Sequence, residues 1–97
     1  MRFGWDSRKN TANRNKHSLS FEEASELFAS GVEYLEIFDA DHSDSEDRFI
    51  CIGPIRRGIV VVVMTEIEED VLRLISARFA TPREVRAYQS KIERDGP

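Results

Sequence analysis

At 97 residues, 40% of them apolar and 33% charged, the chain suffices for one domain, expected over 1–97, and is too short for two. This composition excludes a disordered chain, and no run approaches the roughly 18 apolar residues of a membrane-spanning helix. The net charge of −4 hides an asymmetry: five basic residues against Asp6 give +4 over 1–17, three against fourteen acidic give −11 over 18–70, and six against three give +3 over 71–97.

"RFGW" at 2–5 reads as a short strand, and Asp6 stands as a possible N-cap to the polar helix "SRKNTANRNKH". Ser18 or Ser20 opens a second helix, "SFEEASELFAS". Its Phe21, Ala24, Leu27 and Phe28 form one apolar stripe, Glu22 and Glu23 occupy the favourable first turn, and Gly31 lies just past the end. "VEYLEIF" at 32–38 is a strand and "DADHSDSED" at 39–47 a polar loop. "RFICIGPI" and "GIVVVVMTE" make two strands joined through Pro54, Arg56, Arg57 and Gly58. Ile59 to Met64 are all apolar, as in a central strand covered on both faces. "EIEED" follows as an acidic turn and "VLRLISARF" as a strand. "TPREVRAYQSKIERD" is then a helix with Thr81 as N-cap, Pro82 at the first position, Glu84 closing a capping box, and Val85, Tyr88 and Ile92 as its packing stripe. The anticipated order is β-α-α-β-β-β-α, an α+β fold with one antiparallel sheet and a helical layer.

Alternation along 71–79 groups Leu72, Leu74, Ser76 and Arg78 on one face and Val71, Arg73, Ile75 and Ala77 on the other. Arg78 then emerges at the rim, three residues before a helix N-terminus whose first turns carry Arg83 and Arg86 on a shared side. Such a corner suits a phosphate; the alternative pairs Arg78 with a carboxylate of the acidic middle. The two histidines are His17, directly after Lys16, and His42, beside Ser43 with Glu46 and Arg48 close by. A ribonuclease working without metal needs a base for the ribose 2′-hydroxyl, an acid for the leaving oxygen and cations for the developing charge. Histidine, glutamate, lysine and arginine supply these roles. Each histidine has a plainer reading: His17 complements a helix C-terminus, and His42 is an exposed turn residue.

No cofactor or metal is expected. "DADHSDSED" lacks the central glycine and terminal glutamate spacing of an EF-hand, and the lone Cys51 with two distant histidines gives no zinc spacing. Cys51 excludes an internal disulfide and fits a reducing cytoplasm, and "MRFGWDSRKN" contains no signal-peptide core. Phe3 and Trp5 are expected in the core. Two basic ends on an acidic body form a docking face for a polyanion if they meet in space.

"WDSRKNTANRNKHSLSFEEA" resembles the opening of the BrnT toxins, through Trp5-Asp6, Lys9, Asn13, Lys16-His17 and Phe21 to Ala24 at that family's spacing. "DHSDSEDR" continues the likeness through Asp41, His42-Ser43, Glu46 and Arg48, and "ISARFATPREVRAY" completes it through Ile75 to Arg78, Ala80-Thr81, Glu84 and Tyr88. The resemblance covers roughly residues 3–90. It implies a RelE-like, metal-independent ribonuclease toxin of a bacterial type II toxin–antitoxin pair. The implied partner is a BrnA-like antitoxin with a ribbon-helix-helix domain, and promoter DNA is bound only by the complex. On this reading His17 or His42 is base or acid, Lys16 and Arg48 stand nearby, and Glu46 orients a histidine. Arg78 clamps the phosphate while Arg73, Arg83 and Arg86 guide RNA. Four positions depart from the family: Ser7 and Ser18 replace a frequent Pro and Gly, Phe79 an expected Lys, and Val85 a common Arg. The missing cation at Phe79 keeps a second reading open, a non-catalytic module whose basic face docks an acidic partner.

Overall fold

The computed structural model describes residues 1–96. It comprises β1 (Arg2–Gly4), α1 (Ser7–His17), α2 (Phe21–Ala24), α3 (Glu26–Ala29), β2 (Leu35–Phe38), β3 (Phe49–Ile55), β4 (Gly58–Glu68), β5 (Val71–Phe79) and α4 (Pro82–Asp95). A single 3₁₀ turn, Ala40–His42, sits between β2 and β3. The five strands form one sheet in the order β1-β5-β4-β3-β2. The fold is α+β as expected, with two differences in detail. The four strands read one by one between the early helices and α4 are all present, so the summarised order counts one too few, and β1 joins β5 in parallel, so the sheet is mixed. No helix among the described residues is long and apolar enough to cross a membrane.

Local chemistry explains where the helices begin and end. Asp6 Oδ1 accepts from the backbone N–H groups of Arg8, at 2.8 Å, and Lys9, at 3.3 Å, satisfying donors that the first turn leaves free. Ser18 closes α1 at φ 57°, a left-handed conformation natural to glycine. Ser20 and Glu23 form a reciprocal capping box at the start of α2. The single helix anticipated over 20–30 is interrupted at Ser25, whose hydroxyl donates to Glu22 O at 2.7 Å. The box anticipated at Thr81 and Glu84 opens α4.

The core lies between the sheet and α1–α3. Leu19, Phe21, Ala24, Leu27 and Phe28 meet Cys51, Val60, Val62, Met64, Leu72, Leu74 and Ala77. Each fully buried large side chain contributes about 1.5–3 kcal/mol of transfer free energy. Trp5 packs edge-on against Phe21, and Phe3 lies 6.2 Å from Phe28 between ring centres. On the other face α4 crosses β3, and Ile52 and Val61 are each only 3% exposed there. β4 is thereby covered on both sides, as its unbroken apolar run implied.

One irregularity redirects β5. Ser76 pairs with Val63 and Leu74 with Met64, so Ile75 is an extra residue in a β-bulge. Alternation reverses across it. Leu72, Leu74 and Ala77 enter the core, while Arg73, Ser76 and Arg78 align on the opposite face with Thr65, Val63 and Val61. The grouping of Ser76 and Arg78 with Leu72 and Leu74 is therefore corrected: strict alternation fails where two residues oppose one.

Candidate functional site

α1 has no apolar stripe, and its only buried residue is Asn13. Polar brackets fix it instead. The Asn13 carboxamide accepts from Ala77 N–H at 3.0 Å and donates to Ala77 O at 2.7 Å and Leu19 O at 2.9 Å. It thus stands in for a neighbouring strand along the part of β5 that β1 does not reach. One turn earlier, Asn10 accepts from Phe21 N–H at 2.8 Å and donates to Glu22 at 2.7 Å. Arg57, from the β3–β4 turn, donates to Ser18 O at 2.7 Å, pairs with Glu23 at 2.9 Å and lies over the Phe79 ring.

This docking opens a groove of about 230 Å³ between α1 and the bulge, lined by Lys9, Ala12, Asn13, Lys16, His17, Ile75 and Ser76. Lys9, Asn13, Lys16 and His17 recur at i, i+4, i+7 and i+8, one side of a helix. That side places Lys9, Lys16 and His17 along one groove with Ser76. A larger depression of about 410 Å³, lined by Ser7, Arg8, Thr11, Ala12 and Asn15, gathers one charged group and offers nothing convergent.

Beside the groove, Arg73, Ser76 and Arg78 line one face of β5. Arg78 Nη1 and Nη2 each donate to a Glu84 oxygen at 2.8 Å, a fork-to-fork pair. Glu84 also accepts from Thr81 N–H at 2.9 Å. The Arg78 guanidinium, more than the capping contact, pulls the Glu84 carboxyl down to about 2. Arg78 thus does find a carboxylate, though one on α4 and not in the acidic middle. With Nη1 also donating to Phe79 O at 3.4 Å, the pair still leaves Nε–H and one Nη2 hydrogen of Arg78, whose side chain is 41% exposed.

Glu46 holds Arg73 Nη2 at 2.6 and 2.7 Å and accepts from Arg48 Nε at 3.3 Å; Arg73 in particular lowers its carboxyl below the usual range. The loop 39–47 is folded back by Asp39 N–H to Arg48 O at 2.8 Å, Ser43 Oγ to Asp39 O at 2.6 Å and Thr65 Oγ1 to Asp47 O at 2.7 Å. Glu46 accordingly positions arginines, and the carboxylate beside His42 is Asp39, 3.0 Å from Nδ1. His42 lies at the β2 end of the sheet, with β3 and β4 between it and β5. Lys16 and His17 thus meet β5 in one groove, Glu46, Arg48 and Arg73 form a second cluster, and Arg78 with Glu84 a third. His42 stands apart. Arg83 and Arg86 are exposed on α4. Sequence reasoning passed over Lys9, Asn13, Ser76 and Asp39 as site residues; the helical spacing from Lys9 to His17 was the available signal for the first two.

The model of the family "Ribonuclease toxin, BrnT, of type II toxin-antitoxin system" matches residues 5–84. The chain is similar to the crystal structure of the Brucella abortus ribonuclease toxin BrnT, with 26% identity and a TM-score of 0.65 over 84% of this chain and 97% of that one. Among curated proteins none matches. Matched along most of its length and sharing the architecture of a solved member, the chain belongs to the BrnT family of ribonuclease toxins of type II toxin–antitoxin systems.

Proposed function

We propose that this chain is an endoribonuclease that cleaves RNA without a metal ion, with the α1–β5 groove as its site. The observation that carries the reading is the meeting of Lys9, Lys16 and His17 with Ser76, on a strand whose same face bears Arg73 and Arg78. His17 removes the proton from a ribose 2′-hydroxyl; the freed oxygen attacks the adjacent phosphorus, and the bond to the 5′-oxygen breaks. A lysine ammonium of the groove protonates that leaving oxygen, giving a 2′,3′-cyclic phosphate and a 5′-hydroxyl. Arg78 and Arg73 hold the phosphoryl oxygens through the donors their carboxylates leave unused, while Glu84 and Glu46 fix the two guanidinium planes. Arg48 supports Glu46, and Arg83 and Arg86 lead the strand in from α4. Arginine and lysine side chains are the means by which this site would stabilise charge. The antitoxin is proposed to be BrnA-like, with a ribbon-helix-helix domain that carries the complex to promoter DNA.

A second reading has one observation in its favour: Arg48, Arg73 and Arg78 each already face a carboxylate. That is how a cationic surface awaiting an acidic protein would also look. Incubating purified protein with total RNA in excess chelator separates the two. The nuclease produces fragments with 5′-hydroxyl ends, and His17→Ala slows it by about 10²-fold or more while His42→Ala does so far less. A folded, antitoxin-binding protein that leaves RNA intact establishes the module instead.

A further inference from the structure

The sheet ends on β1, of three residues, and on β2. Beyond β1, Asn13 satisfies both backbone groups of Ala77 on the β5 side. At the far end β2 pairs with β3 on one side and, among the described residues, with no strand on the other. Asp39 N–H bonds to Arg48 O. Antiparallel alternation therefore turns Ile37 and Leu35 toward β3 and leaves the N–H and C=O groups of Glu36 and Phe38 facing outward. Apolar surface gathers at the same place: Val32, Ile37 and Phe38 are 38%, 43% and 50% exposed, three of the five large apolar residues exposed among those described.

The charge there is of one sign. Residues 32–47 include Glu33, Glu36, Asp39, Asp41, Asp44, Glu46 and Asp47 and no lysine or arginine, although Glu46 meets Arg48 and Arg73 and Glu33 meets Lys91. No ion pair engages Glu36, Asp41, Asp44 or Asp47 among the described residues. Natural sheets protect open edges with charge, and a one-signed set also selects. It repels a second copy, whose β2 would bring the same carboxylates, and it repels RNA; it favours a basic strand. We propose that β2 is the docking edge for a basic, extended segment of the antitoxin, which adds to the sheet as a sixth strand and covers Ile37 and Phe38. The assignment rests on the family's toxin–antitoxin partnership and is independent of the nuclease mechanism.

Backbone hydrogen exchange of the parent protein, with and without its cognate antitoxin, tests this directly. The Glu36 and Phe38 amides are expected to exchange freely in the lone toxin and become protected in the complex. Glu36→Pro removes one outward donor at a position where an edge strand tolerates proline. It is expected to weaken antitoxin binding roughly tenfold or more with RNA cleavage unchanged. Asp41→Lys with Asp44→Lys, in the exposed loop, is expected to weaken binding and flatten its salt dependence. Unprotected Glu36 and Phe38 amides in the complex, or undiminished binding by folded Glu36→Pro, overturns the proposal. Protection in the lone toxin that disappears on dilution assigns the edge to a second copy, and RNA-induced protection assigns it to substrate; either result also overturns it.

Discussion

Replacing Asn13 probes how a helix without apolar packing is held on the sheet. Asn13→Ala removes three hydrogen bonds, of 2.7, 2.9 and 3.0 Å, and leaves Ala77 N–H and O and Leu19 O without partners in a site where the residue was 8% exposed. A buried polar group left unpaired costs roughly 1–3 kcal/mol. The adjoining groove admits water to some of them, so the total settles near 3 kcal/mol. Against a stability of roughly 5–15 kcal/mol, that lowers Tm by roughly 10–20 °C. Asn13→Asp is the sharper variant because it keeps the shape. One carboxylate oxygen still accepts from Ala77 N–H, but the other replaces a donor and faces two carbonyl oxygens. The folded protein therefore raises the pKa of this aspartate above its unfolded value of about 3.9. A group with a raised pKa binds more protons folded than unfolded, so stability falls as pH rises through that interval. Urea unfolding followed by the single tryptophan, Trp5, is expected to show a penalty relative to the parent that is full at pH 7–8 and shrinks toward pH 4. A penalty flat with pH, or an Asn13→Ala cost below about 1 kcal/mol, refutes the bracket as the source of α1 docking.

Three further outcomes follow from local geometry. Ser18→Gly relieves the left-handed φ of 57° and is expected to raise stability by about 0.5–1 kcal/mol, read as a higher urea midpoint. Glu84→Gln is expected to cost about 1 kcal/mol at neutral pH, since the pair is partly exposed. The carboxyl is depressed from 4.5 to about 2, so this cost is complete above pH 4.5 and fades as acid takes the parent through 2, visible as converging melts. Gly53→Ala places a Cβ 2.6 Å from Leu27 Cδ1 and 2.8 Å from Tyr34 Cβ, and such overpacking is expected to cost about 1–3 kcal/mol by the same unfolding assay.

The readable parts of the sequence were those decided by neighbouring residues. Thr81, Pro82 and Glu84 announced α4 because a capping box is local chemistry, and Phe21 to Phe28 announced the buried stripe by spacing alone. The bulge at Ile75 was illegible because it arises from the register between β4 and β5, and nothing within "LRLISAR" records the extra residue. Asn13 entered only as part of the family likeness, its bracketing role unread, for a related reason: a mid-helix asparagine ordinarily faces water, and only the end of β1 at Gly4 creates the gap it fills. Arg78 and Glu84 were each recognised, but a capping carboxylate has lone pairs to spare, and those of both oxygens are taken by a strand end six residues back. The charge asymmetry left open whether the cationic termini meet in space. α1 and β5 do meet, whereas the loop around His42 contributes Glu46 and leaves its histidine outside.

The central claim, that RNA lies along the α1–β5 groove, is tested most directly by titrating a short RNA, methylated on its 2′-hydroxyls to prevent cleavage, into isotopically labelled protein. Saturable shifts at Lys9, Lys16, His17, Ser76 and the Arg73 and Arg78 guanidinium signals are predicted, with the β2 amides unmoved. Shifts confined to the His42 loop or to β2, with the groove silent, contradict the account.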